Sequence, residues 1–327
     1  MRITRRGLVG GMLATAATPA RARDVQRRLR VADTQSYDYP TVQALLHMDR
    51  LLRARTEGRL ALQVFASGQL GDEEDTIHQT RIGAVHLTRV NVAALATLAP
   101  LCNLLCLPNL IRSDAQLTRV LDSDVGREIL AGCEGYGLVG LAFYEAGARS
   151  IYNRMRPVRT PEDMQGLRIR VQQSPIMERA MAALGAIPVG LSYGQLLPAL
   201  QADLVDGAEN NWPSYVTTDH HRAAPHYTLT EHARPPEILL VSKRIWDGLG
   251  GPDQDALRDA AMASRVFHRS RFTEWTEIAR EQARAEGVQV VEDFDGAAFE
   301  RLWRPIRDLA LEDPDVRRLA TRSRELE

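Results

Sequence analysis

The chain of 327 residues carries 42 acidic against 41 basic side chains, a formal charge of −1 with histidine neutral. That balance excludes a nucleic-acid binder working through bulk positive charge, so any anion site has to be local. Cys102, Cys106 and Cys133 are an odd set without a metal-type C-x-x-C pair, and they read as small buried apolar residues.

At the N-terminus Arg5 and Arg6 form a twin-arginine pair, an uncharged run of small residues follows from Gly7, and Ala20-Arg21-Ala22 supplies an A-x-A cleavage signal. The pattern predicts a Tat-type export leader over residues 1–22. The apolar run is too short, and too rich in Gly, Ala and Thr, to anchor the chain in a bilayer. The leader holds Arg2, Arg5, Arg6 and Arg21 and no acid, so its removal takes the charge to about −5. The mature chain is expected to begin near Arg23 and to be soluble in a periplasm. Its length, roughly 305 residues, exceeds what one core usually serves and predicts two lobes. No Ser/Gly or Pro-rich linker separates them, so strands or helices must cross between them.

The first strand is expected in "RLRVAD" (28–33), and a helix from Pro40 to about Glu57 with Leu45, Met48 and Leu52 on one face, stopped by Gly58. "RLALQVF" (59–65) is the next strand. "DEEDTIHQTRI" (72–82) opens a helix on four acids, as the helix dipole favours, and ends at Gly83. Strands follow in "HLTRVN" (86–91), "GLVGLAFYE" (137–145), "RSIYN" (149–153), "GLRIRV" (166–171) and "IPVGL" (187–191), with a helix after Ser174-Pro175. This alternation predicts α/β lobes with largely parallel sheets. From Pro252 to Glu286 no breaker occurs, and 35 helical residues would run on the order of 50 Å, more than one lobe. The helix is expected to be a spine through both.

In "GLRIRV" the apolar set Leu167, Ile169 and Val171 faces one way, so Arg168 and Arg170 face the other. A solvated edge and an anion-holding cleft both fit that pattern. Gly135 to Gly140 matches G-x-G-x-x-G, but a helix precedes it and a strand follows, the reverse of a dinucleotide fingerprint. His220, His221, His226 and His232 lie close in sequence at spacings that fit no zinc pattern. G-x-S-x-G is absent, and no nucleophile is assembled with a base. "VDGAENNWPSY" (205–215) places a turn, then Glu209, Asn210 and Asn211 beside Trp212 and Tyr215, the mixture of polar and flat groups a sugar site uses.

"TPEDMQGLRIRV", "ALGAIPVGLSYGQLLPALQADLVDGAENNWPSY" and "SGQLGDEEDT" resemble the solute-binding proteins of tripartite ATP-independent periplasmic (TRAP) transporters, the DctP family, over nearly the whole mature chain. The resemblance implies a two-lobed α/β periplasmic binding protein fold, with a long helix spanning both lobes, that closes on a small organic anion. Lobe I would take residues 23–147 plus about 236–270, and lobe II 148–235 plus about 271–327. It implies that Arg170 binds the ligand carboxylate through a two-point salt bridge, that Arg168 faces solvent, that Arg149 is a second arginine near the carboxylate, that Asn210 is the ligand-bonding amide and that Tyr193 packs on the ligand. "DYPTV", "LTRVN", "AGARSIYN" and "LTEHARPPEILLVSKRIWDGL" are similar to the branch that binds hexuronates such as glucuronate and galacturonate. Gln35, Glu73, Arg89 and Glu237 would then read hydroxyls. Gln35-Ser36 replaces the His-Pro of that branch, and Gln195 stands where Glu is common; either could retune the ligand. The resemblance calls for no cofactor, no metal, no nucleic acid and no catalysis. Its partners are a TRAP membrane permease and the solute, with the protein acting as a monomer. A C4-dicarboxylate or aldonate ligand, or a periplasmic enzyme on acidic sugars, are the competing readings.

Overall fold

The computed structural model describes residues 26–327. The expected leader over 1–22, with Arg5 and Arg6, lies outside the described residues. Strand β1 (Arg27–Ala32) leads into α1 (Pro40–Arg55), which starts on Pro40 and buries Leu45, Met48 and Leu52 on one face. Each fully buried leucine contributes about 1.5–3 kcal/mol. Thr56 ends the helix, and Gly58 follows at φ 81°, a left-handed turn that costs glycine least. After β2 (Leu60–Phe65) comes α2 (Glu73–Ile82). Its N-cap Asp72 accepts from the Asp75 amide, Glu73, Glu74 and Asp75 fill the first turn, and Gly83 closes it in the left-handed region. The start of α2 is therefore fixed twice, by cap and by charge, and Glu73 is delivered to a defined place.

The remaining strands are β3 (Leu87–Asn91), β4 (Leu138–Tyr144), β5 (Arg149–Asn153), β6 (Arg168–Val171), β7 (Ile187–Gly190), β8 (Gly207–Asn210), β9 (His226–Ala233), β10 (Glu237–Ser242) and β11 (Gln289–Val291). They form a five-stranded sheet, β2-β1-β3-β10-β4, and a six-stranded sheet, β11-β9-β5-β8-β6-β7. In each sheet every strand but one runs the same way, as the largely parallel sheets expected from the sequence require; the reversed strands are β10 in the first sheet and β5 in the second. β10 runs antiparallel to both β3 and β4, and β5 antiparallel to both β8 and β9. The reason is the double crossing: β4 hands the chain to β5, and β9 hands it back to β10. A strand arriving from the other sheet enters at the cleft and runs away from it. The local strands β1, β3, β6 and β8 end there, as parallel α/β strands end at a ligand crevice.

The spine is one helix, Gly251–Ala285, 35 residues long. Ala256, Leu257, Ala260 and Ala261 pack into the core of the first sheet, with Leu29, Leu45 and Leu239. Ala279 and Ala283 pack into the core beneath the second, with Tyr152, Tyr215 and Tyr227. The helix therefore spans both halves of a two-lobed α/β fold. All three cysteines are free and buried, as expected; Cys102 and Cys106 sit in a 3-10 turn, Pro100–Cys106. In the rejected glycine motif, Gly140 lies within β4, where a Cβ would come within 2.9 Å of the Leu130 backbone oxygen. Close packing accounts for that glycine.

Candidate functional site

Both crossings and four strand ends converge on the cleft, so the site residues come from segments far apart in sequence. On the side of the first sheet, Arg89 projects from β3 and is 1% exposed. All five of its N–H groups are taken. Nε donates to Asp33 Oδ2 at 2.9 Å, and Nη2 donates to Asp33 Oδ1 and to Thr34 Oγ1, the latter at 3.2 Å. Nη1 donates to Glu237 Oε2 at 2.7 Å and to Glu73 Oε1 at 3.3 Å. Burial works against the Arg89 charge, but Asp33, Glu237 and Glu73 more than offset it and hold its pKa above the ordinary value. Arg89 is thus the hub of an acidic cluster, with no N–H left over for a solute.

The cluster is not symmetrical. Asp33 accepts four hydrogen bonds, from Gln35 N, from Thr41 Oγ1 and two from Arg89. Glu237 receives Arg89 on one oxygen and Asn91 Nδ2 at 3.2 Å on the other. Glu73 uses Oε1 alone, for Arg89 and for Asn91 N at 2.9 Å. Its Oε2 has no protein partner among the described residues and is not sealed off. Burial first, then the Glu237 charge, pushes the Glu73 carboxyl up to about 7.

On the side of the second sheet, Arg149 and Arg170 play different parts. Arg149, at the start of β5, is paired with Glu209 of β8 through Nε and, at 2.8 Å, through Nη2. Burial opposes the Glu209 charge, but Arg149 and His232 together hold its carboxyl down to about 2. Arg149 Nη1 donates to Asn210 Oδ1 at 2.9 Å, and the Asn211 amide donates to the same oxygen at 2.9 Å. Only an oxygen can accept both, so the Asn210 amide is oriented and its NH2 end is the one left to bind. Arg149 therefore backs and aims Asn210 rather than offering a fork of its own.

Arg170 is 3% exposed and makes one protein hydrogen bond, Nε to Leu191 O at 2.8 Å. Burial pulls its pKa below the ordinary value, and Glu209 only partly compensates. The two terminal nitrogens of this buried guanidinium lack a protein partner among the described residues, and such a planar pair of donors has the geometry that matches a carboxylate. Arg168, one pleat earlier on the same face of β6, is half-exposed and clasps Asp206 at 2.7 and 3.0 Å. The two arginines of "GLRIRV" thus divide between an exposed ion pair and the cleft.

Among the described residues side-chain hydrogen bonds cross the cleft from Tyr193 Oη to Gln35 Oε1 at 3.1 Å, between Tyr39 Oη and Ser214 Oγ at 3.0 Å, and from Gln173 Nε2 to Glu74 Oε2 at 3.1 Å. The lobes are closed on one another. Gln35, a departure from the hexuronate branch, serves as half of one such bridge. Gln195 is exposed and caps the turn carrying Tyr193, with its Oε1 accepting from Ser192 N. Asp33, Tyr39 and Ser214 are cleft residues that the sequence reading did not single out, and His220, weighed there only as a metal ligand, lies beside Tyr193 and Tyr152. Asp33 had a usable signal, an acid ending a strand whose other apolar positions are buried.

The histidines go separate ways. His220 Nδ1 meets Tyr152 Oη at 2.9 Å, and burial, then Arg170, keeps it neutral with a pKa near 3. His221 pairs with Glu286 at 2.9 Å, and His232 with Thr230 at 2.9 Å. Among the described residues no group of three or more His, Cys, Asp or Glu is placed to hold a metal ion. A cavity of about 360 Å3 lined by Glu145, Gly147, Asn211, Trp212, Arg269 and Phe272 lies at the crossing strands, and none of Arg170, Asn210, Glu73 and Arg89 lines it.

A family model described as bacterial extracellular solute-binding protein, family 7 (DctP), matches residues 31–311. A TRAP periplasmic solute-binding protein from Xanthobacter autotrophicus Py2, solved with bound β-D-galacturonate, is 41% identical with a TM-score of 0.89, over 91% of this chain and 100% of that one. Another from Bradyrhizobium sp. BTAi1, in complex with α/β-D-galacturonate, is 41% identical with a TM-score of 0.90 over the same shares, 91% and 100%. A third from Roseobacter denitrificans, with bound β-D-glucuronate, is 33% identical with a TM-score of 0.88 over 90% and 98%. The family match begins inside β1 and ends just past the helix Gly296–Ala310, on the same two-lobed frame. The chain belongs to the family 7 extracellular solute-binding proteins, the DctP family that serves TRAP transporters.

Proposed function

We propose that this protein captures a hexuronate, D-galacturonate or D-glucuronate, in the periplasm and delivers it as a monomer to a TRAP membrane permease, without transforming it. The observation that carries the reading is the contrast between the two sides of the cleft. Arg170 offers one open fork, while Arg89 is consumed by three carboxylates. A solute with one carboxylate and a rim of hydroxyls matches that contrast. Its carboxylate takes both terminal nitrogens of Arg170, the Asn210 NH2 donates to it or to an adjacent oxygen, Tyr193 covers the ring, and Glu73, Glu237 and Gln35 read hydroxyls. A second carboxylate would meet Glu73 and Glu237 with no free cation beside them among the described residues, and each unmet buried polar group costs about 1–3 kcal/mol. The uronates bound to the Xanthobacter, Bradyrhizobium and Roseobacter proteins support the same ligand class.

Thermal-shift and calorimetric titrations with galacturonate, glucuronate, succinate and malate at equal concentration test it. A uronate should stabilise the protein stoichiometrically, and the dicarboxylates should not. Preference for succinate would overturn the hexuronate reading, and turnover of a uronate by purified protein would overturn the reading as a pure binder.

A further inference from the structure

The cleft holds more negative charge than it can balance. Around Glu73, at the first turn of α2, stand Arg89 and the Asn91 amide from β3, Glu237 from β10, Asp33 at the end of β1, and Arg170 across the cleft on β6. Asp72, Glu74 and Asp75 flank it on its own turn. The helix Lys243–Asp247 carries Lys243, Arg244 and Asp247, but Arg244 reaches α2 at its far end, on Ile82 O. One guanidinium thus serves three carboxylates, and the least served is Glu73, whose contact to Arg89 is the longest at 3.3 Å and whose Oε2 is open.

Building on the uronate reading, we propose that the anion is captured together with a proton, which Glu73 holds on Oε2 and donates to a ligand oxygen. The proton comes from solvent and no bond other than O–H forms. The direction follows from the geometry. In the free protein the Arg170 charge favours Glu73 as carboxylate. A ligand carboxylate on Arg170 cancels that field, and the closed cleft excludes the water that would hydrate a second anion. Both effects favour the neutral acid. With the Glu73 carboxyl pushed up to about 7 by burial and Glu237, binding near pH 7 should take up about half a proton, and the apparent Kd should rise about tenfold from pH 6 to pH 8. The nearby His220 and His268, both near 3, stay neutral throughout that range.

Titration calorimetry of the full mature protein with D-galacturonate, at pH 7 in phosphate and in Tris, reads the proton directly from the difference in apparent enthalpy. The expected results are uptake of about half a proton and a Kd weakening toward pH 8. Glu73→Gln should abolish the uptake and flatten the pH profile, whatever its own affinity. Should that variant lose the ligand, the infrared difference spectrum of the wild type decides, through a gained protonated-carboxyl band on ligand addition. Binding without uptake in the wild type overturns this inference and leaves the uronate reading standing. Uptake that survives Glu73→Gln but vanishes in Glu237→Gln overturns the residue assigned. Absence of hexuronate binding at every pH overturns the reading and the inference together.

Discussion

Replacing Arg170 by alanine should weaken uronate binding and yet spare the ligand-free protein, and the two effects have one origin. In the closed cleft the guanidinium is 3% exposed, keeps one side-chain hydrogen bond, to Leu191 O, and has its pKa pulled down by burial. Its charge is therefore held at some loss to folding, a loss that the proposed ligand carboxylate would recover. Each charge-assisted hydrogen bond contributes roughly 1.5–3 kcal/mol, and the open fork makes two. Arg170→Ala should accordingly raise Kd by at least about a hundredfold, near 2.7 kcal/mol. Arg170→Lys keeps the charge but gives up the planar two-point contact, so it should fall between, at roughly tenfold. Arg168→Ala is the control. It removes a half-exposed, solvent-screened pair with Asp206 that lies outside the cleft, and should leave affinity nearly unchanged. Calorimetry supplies the affinities and a melting curve without ligand supplies the stability. Equal affinity losses at 168 and 170, or an Arg170→Ala protein that melts far lower while binding normally, would refute the assignment of roles.

Arg149→Met should behave in the opposite way, since it strands Glu209, itself 0% exposed, without its cation. Breaking such a buried pair costs about 3–5 kcal/mol, so the ligand-free Tm should fall by roughly 6–15 °C; an unchanged Tm would show that the pair is not structural. Tyr39→Phe removes one bond across the cleft, worth about 0.5–1.5 kcal/mol, and should speed uronate release measured by stopped flow with little change in association rate. The closed arrangement of the lobes is expected to be the one that ligand holds in solution, so X-ray scattering should give a smaller radius of gyration with galacturonate than without, and an unchanged radius at saturation would show that the cleft closes without ligand. Arg5→Lys with Arg6→Lys should leave unprocessed precursor in the cytoplasm, and normal processing of that double variant would show that export does not use the twin-arginine route.

The elements were readable because local signals agreed with one another. α2 carries its acids, its Asp72 cap and its terminal Gly83 within a dozen residues, and the spine lacks any breaker between Pro252 and Ala285. Strand direction was not readable in the same way. Nothing in "RSIYN" or "EILLVS" says that the strand has come from the other lobe, because pleat and hydrophobicity are the same in either direction. The antiparallel setting of β5 and β10 is a property of the chain path, and it came into view only with both sheets.

The site shows the same limit in its charges. Resemblance can identify Arg89, Arg149 and Arg170 as cleft arginines, but it cannot say which are spoken for, because their partners Asp33 and Glu209 lie 56 and 60 residues away in sequence. A count of arginines alone would suit a dicarboxylate or even a more highly charged anion. Once the pairs are drawn, one guanidinium is given over to aiming an amide, another to holding three acids together, and one fork stays open. The same pairing that removes Arg89 as a ligand group also concentrates Glu73 and Glu237 opposite the fork. On the proposed reading, selection against a second carboxylate would follow from how the charges are committed rather than from how many there are. A substitution that frees Arg89, such as Asp33→Asn, is where selectivity should begin to drift toward dicarboxylates.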